Sequence, residues 1–149
     1  IMLLQIPGKS GALDSFATWI MTKCKTIRSA ELVTYFLAMF GCIATHSSPN
    51  TIMFFGPFVR QLMNNYKDEA DPCRSANILD GVACATNGLI PHGNPTLVIV
   101  GVATSVAGIP ATFSFVNFLG YNFHCWGLLI IFLASILTGI GRKKKKTTV

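Results

Sequence analysis

Apolar residues run through this chain in long uncharged stretches. From Leu32 to Val59, 28 residues pass without Asp, Glu, Lys or Arg, and from Gly81 to Gly141 a further 61 do. A charged side chain in hydrocarbon costs several kcal/mol, so such stretches measure how much chain can sit in lipid. One membrane-crossing helix needs ~20 residues. The first stretch, ~42 Å as continuous helix, is too short for two crossings and a turn. Thr45-His46-Ser47-Ser48-Pro49-Asn50 also interrupts it with polar residues and a proline that disfavours helix at Ser48. The pattern predicts a re-entrant hairpin over 29–64: an arm from Ala30 to Ala44, a turn at 45–50, and a return from Thr51 to Met63 to the same face.

The second stretch holds two crossings. Its last part, 122–141, is a clean apolar run from Trp126 to Ile140 and reads as the final transmembrane helix. Its first part is cut at Ile90-Pro91-His92-Gly93-Asn94-Pro95, where two prolines and a glycine stop a helix. Residues 75–115 therefore read as one discontinuous transmembrane helix, with halves Ser75 to Leu89 and Thr96 to Phe115. Two complete spans there are the competing topology. Upstream, Leu13, Phe16, Ala17, Ile20 and Cys24 recur at helical spacing, so 7–28 is expected to lie along the interface as an amphipathic helix, or else to pack between domains. Ile1 to Ile6 read as the end of a span that begins upstream. The fold class expected is all-α: a polytopic membrane protein with a re-entrant hairpin and a broken helix.

Composition agrees. Apolar residues make up 51% and charged residues 12%, with mean hydropathy +0.52; a soluble domain carries about 25% charged residues. The net charge of +6 comes mostly from Arg142 to Lys146, without which it is +1. A neutral body with one basic tip is not a nucleic-acid binder. That tip, 142–149, places the C-terminus in the cytoplasm of a multi-pass cell-membrane protein. The five cysteines form no C-x-x-C pair and read as reduced. No hydrolase, zinc-protease or phosphate-loop motif is present, so an enzyme is not expected.

Chemistry concentrates at the two interruptions. Non-helical backbone at membrane depth is tolerated where it is buried in protein or lines a watery cavity, and its freed carbonyls suit a cation. Thr45, Ser48, Asn50 and Thr51 gather at one interruption; Asn87, Gly93 and Asn94 gather at the other. Neutral oxygens of this kind suit Na⁺, and each hydroxyl taken alone reads as well as a bond to its own helix. Asp80 is the carboxylate within reach of the apolar region, able to alternate between a proton and Na⁺, or simply to sit near the helix start pairing with Arg74. Asn50, Thr51 and Asp80 are the metal-ligand candidates. His46 and His92 sit at the interruptions. Asp14 and Glu31, flanked by basic residues, are expected to be solvated.

Ser48-Pro49-Asn50-Thr51 followed by Gly56-Pro57-Phe58-Val59 resembles a segment of the NhaC-type Na⁺/H⁺ antiporters. Arg74-Ser75-Ala76-Asn77-Ile78-Leu79-Asp80 and Gly88-Leu89-Ile90-Pro91-His92-Gly93-Asn94 resemble two more, and Gly11-Ala12-Leu13-Asp14 and Arg28-Ser29-Ala30-Glu31-Leu32 sit as in that family. The likeness covers residues 8–141. It implies the C-terminal half of an inverted-repeat transporter, exchange of Na⁺ and H⁺ without other cofactors, and a missing N-terminal repeat as partner beside the lipid bilayer; some members move organic anions or other organic solutes, and a homodimer is compatible. Asn50, Thr51, Asp80 and Gly93 match the family pattern, whereas Pro49 replaces an amide and His92 an aromatic residue. The alternatives are a Na⁺- or H⁺-coupled carrier of a small organic solute and a non-transporting membrane scaffold.

Overall fold

The computed structural model describes residues 20, 24, 26–64, 66, 71–106 and 115–142, and the regular elements among them are helices. Thr26 opens α1 (Ile27–Thr45), its hydroxyl accepting the Ser29 amide at 3.3 Å and so satisfying a donor that a helix start leaves free. α1 stops where His46 turns left-handed at φ 55°, its amide reaching the Cys42 carbonyl at 2.8 Å. Histidine is among the few non-glycine residues that enter that region. Ser47 then leads directly into α2 (Ser48–Asn64). At the other end of this hairpin the Tyr66 hydroxyl donates to the Cys24 carbonyl at 2.6 Å, so the two arms run antiparallel.

Asp71 caps α3 (Pro72–Leu89) by accepting the Cys73 amide at 3.0 Å. After Ile90-Pro91-His92-Gly93 comes α4 (Asn94–Ser105), then α5 (Phe115–Tyr121) and α6 (Phe123–Thr138). α3 is central and packs on α1, α2, α4 and α6. Small residues permit this. Ala30, Thr34, Ala38 and Cys42 form a buried row along α1 at every fourth position, and a Cβ at Gly81 or Gly88 would meet Phe132 or Cys125 of α6. Large side chains lie outside: Phe36, Phe40 and Ile43 on α1, Leu97, Val98 and Val102 on α4, Ile130 and Ile131 on α6. α1 is long and apolar enough to cross a membrane, and α5 and α6, bent by 53°, pass the same test together.

One polar cluster ties the helix ends. Glu31 is 2% exposed and receives Arg74 Nε at 2.8 Å from the third residue of α3. From the chain beyond α6, Arg142 meets the same carboxylate through Nη2, and through Nε at 3.2 and 3.3 Å. The guanidiniums also donate to carbonyls in and just beyond the end of α6: Arg74 to those of Ser135 (3.1 Å) and Ile140 (2.8 Å), Arg142 to that of Ile136 (3.1 Å). A helix C-terminus has such carbonyls to spare. Gly139 and Gly141, at φ 75° and 85°, turn the chain back, and side chains there would press on the two arginines.

This overturns the expectation that Glu31 is solvated: its partners lie 43 and 111 residues away, beyond any local charge pattern. Arg142 likewise belongs to the folded body and not to a free tail; 143–149 lie outside the described residues. α1 runs from Ile27, so Ile27 and Arg28 leave the expected interfacial helix, whose other residues lie outside the described set apart from Ile20, Cys24 and Thr26; Asp14 lies outside it too. At 19 residues, or ~28 Å, α1 has the length of a full crossing and exceeds the short re-entrant arm expected. Pro49 and Asn50 are not turn residues; they stand in the first turn of α2, where a missing amide costs nothing. The half expected from Thr96 to Phe115 stops at Ser105. There the Thr104 and Ser105 hydroxyls both return to the Gly101 carbonyl at 2.9 Å, competing with the helix ladder; 107–114 lie outside the described residues. The last helix spans Phe123–Thr138 and not 122–141, and the segment before it is helical from Phe115 to Tyr121.

Glu31→Ala, which strands two arginines, is expected to cost ~3–5 kcal/mol; Asp71→Ala, which removes a cap, only ~1 kcal/mol. Denaturant unfolding of the detergent-solubilised chain measures both, and similar losses would refute the central role of the cluster.

Candidate functional site

The two helix interruptions, far apart in sequence, come together. The His46 and His92 rings lie 5.6 Å apart, tilted by 47°. Beneath His46, the Thr45 and Thr51 hydroxyls are 2.8 Å apart, and each donates to the Ser47 carbonyl, at 3.0 and 2.9 Å. Because α1 and α2 are antiparallel, Thr45 and Thr51 face each other across the turn. Cys42 Sγ donates to the Ala83 carbonyl at 3.2 Å, fastening this tip to α3. Ser48 is buried beside the Cys84 thiol.

The second interruption is closed by side chains. Near the end of α3 the Gly88 carbonyl accepts both Thr96 Oγ1 at 3.2 Å and Asn122 Nδ2 at 3.0 Å. The Gly93 amide bonds the Ile90 carbonyl at 3.0 Å, and a Cβ on Gly93 would overlap the Asn87 carbonyl. Two oxygens stand out near the end of α3. Thr86 Oγ1 and Asn87 Oδ1 are buried with no hydrogen-bond partner among the described residues, on side chains of residues only 4% and 6% exposed. Burying such a group unmatched costs about 1–3 kcal/mol.

Of the residues singled out from sequence, Thr45, Thr51, Asn87 and Gly93 gather here, with Ser48 at the edge. Asn50 and Asn94 are exposed in the first turns of α2 and α4. Asp80 is elsewhere: exposed on a groove between α2 and α3, contacted by Cys84 Sγ at 3.5 Å and bonded neither to Arg74 nor to a helix start. Thr86, Thr96 and Asn122 escaped the sequence reading. Asn122 had a local signal, an amide before a long apolar run; Thr96 and Thr86 had none, since their importance is which carbonyl or void they reach. Among the described residues no three His, Cys, Asp or Glu side chains form a metal cluster. The junction instead offers neutral oxygens and interrupted backbone, a donor set for a hard monovalent cation.

Gly93→Ala is expected to force the second interruption open at a cost of ~1–3 kcal/mol, lowering the thermal midpoint, whereas Gly101→Ala, with open space around it, should stabilise α4 slightly. Equal effects would show that the close approach at Gly93 is unimportant. Compared with family models, curated proteins and solved structures, the chain matches none.

Proposed function

We propose that this chain is the C-terminal repeat of a membrane-embedded Na⁺/H⁺ exchanger of NhaC type, with its Na⁺ site at the junction of the two interruptions. The observation that carries the reading is the pair of buried, unpartnered oxygens, Thr86 Oγ1 and Asn87 Oδ1, where two helix breaks meet. A stable fold does not leave such atoms unmatched without a reason, and a partly dehydrated Na⁺ is the kind of ligand that takes neutral oxygens. Thr45, Thr51 and the Ser47 carbonyl supply further oxygens beside it, at the cost of loosening their mutual bonds.

The exterior supports a lipid setting. Large apolar side chains face outward on α1, α4 and α6, while the inner face of α1 is a row of small residues, Ala30, Thr34, Ala38 and Cys42, as expected where the surrounding solvent is as apolar as leucine. With the basic end in the cytoplasm, the Glu31 cluster marks that side. The junction then lies ~20 Å deeper, judged from Arg74 to Asn87, and Asp80 ~9 Å deeper. In this reading Asp80 takes up a proton from the cytoplasmic side when the Na⁺ site empties. The Glu31 cluster holds helix ends rigid while the break end, joined by weaker bonds, changes its exposure.

Two measurements test this. Na⁺, compared with K⁺, should raise the unfolding temperature of the chain, because a ligand at 100 times its Kd adds ~2.7 kcal/mol; Asn87→Leu should abolish that gain without lowering stability in K⁺. In vesicles carrying the full-length protein, an imposed Na⁺ gradient should move protons with no organic solute added. Proton movement only with a solute present would reassign the protein as a coupled solute carrier, and no flux under any condition would leave a scaffold.

A further inference from the structure

The groove between α2 and α3 lies outside the junction, and its chemistry differs. It encloses about 680 Å³ and is lined by Ile52, Gly56, Val59 and Leu79, with Arg60 and Asp80 among its polar residues. That volume is within the ~300–1,000 Å³ of small-molecule sites. Arg60 and Asp80 are both exposed, and neither forms an ion pair among the described residues. Opposite charges lining one groove without closing on each other leave a positive and a negative site with apolar surface alongside. We propose that this groove binds a small zwitterionic solute with an apolar body, its carboxylate on Arg60, its ammonium on Asp80 and its hydrocarbon against Ile52, Val59 and Leu79.

Several features favour that occupant over others. An acyl chain would gain nothing from Asp80, and an anionic headgroup would be repelled by it. The α3 face beside the groove exposes Ala76, Asn77, Asp80 and Cys84, a polar strip unlike the outward apolar faces of α1, α4 and α6. Gly56 leaves room, since a side chain there would meet nothing within 4 Å. A bidentate guanidinium is well matched to a carboxylate. The inference involves none of the junction oxygens; it shares Asp80 with the proton step proposed above, and sodium-free buffer keeps the two readouts distinct.

Cys84 supplies the reporter. It is exposed beside Asp80, whereas Cys24, Cys42 and Cys125 are buried, so Cys73→Ser leaves Cys84 as the one exposed thiol. In detergent and potassium buffer, without sodium, leucine or aminocaproate should slow maleimide labelling of Cys84 several-fold. Isoamylamine and isocaproate, each lacking one charge, should not do so at the same concentration. Arg60→Gln and Asp80→Asn should each remove the protection, and Gly56→Leu, which fills the groove, should slow labelling without any solute. Absence of protection by both zwitterions overturns the proposal. So does equal protection by the amine or acid alone, persistence of protection in both charge variants, or protection by phosphatidylethanolamine alone.

Discussion

A carboxylate held by two arginines organises this molecule. Burying Glu31 by itself would be prohibitive; with Arg74 and Arg142 on it, the cost is offset by charge-assisted bonds and by the α6 carbonyls the guanidiniums also serve. Three elements distant in sequence are thereby locked at one end: the start of α1, the start of α3 and the close of α6. Register between these helices follows. Tyr35 reaches the Leu129 carbonyl at 3.2 Å, and Cys42 the Ala83 carbonyl, at successive levels above the cluster.

Toward the other end the bonding weakens and the backbone is interrupted. There the contacts are hydroxyl and amide bonds, worth about 1 kcal/mol each, and two oxygens have no partner among the described residues. His46, in the left-handed region, adds backbone strain at that place. Small residues along α1 and α3 let the helices approach closely enough for the two interruptions to touch.

Much of this architecture was legible along the chain. The polar hexad at 45–50 and the proline–glycine segment at 91–95 each interrupt a helix, because proline and turn chemistry act locally. The hairpin followed from the same signal, although Pro49 was placed in the turn when it starts the next helix. Charge, used as a ruler, misled at Glu31: a buried ion shows nothing in its immediate neighbours when its partners lie on other helices. The 53° bend at Asn122 also escaped: 75–115 and 122–141 read as separate spans, because Asn117, Gly120 and Asn122 lie between the apolar runs, yet Phe115–Tyr121 is helical and meets the last helix there.

Sequence alone determined that the described chain is helical, where α1 and α3 end, and that oxygens crowd those ends, because hydrophobic runs, prolines and caps act over a few residues. Only the tertiary structure decided that Thr45 and Thr51 meet, that Asn87 Oδ1 has no hydrogen-bond partner among the described residues, that Asp80 lines a groove with Arg60, and that Glu31 is the keystone. Each of these depends on how helices pack, and packing brings together residues whose separation along the chain carries no local trace.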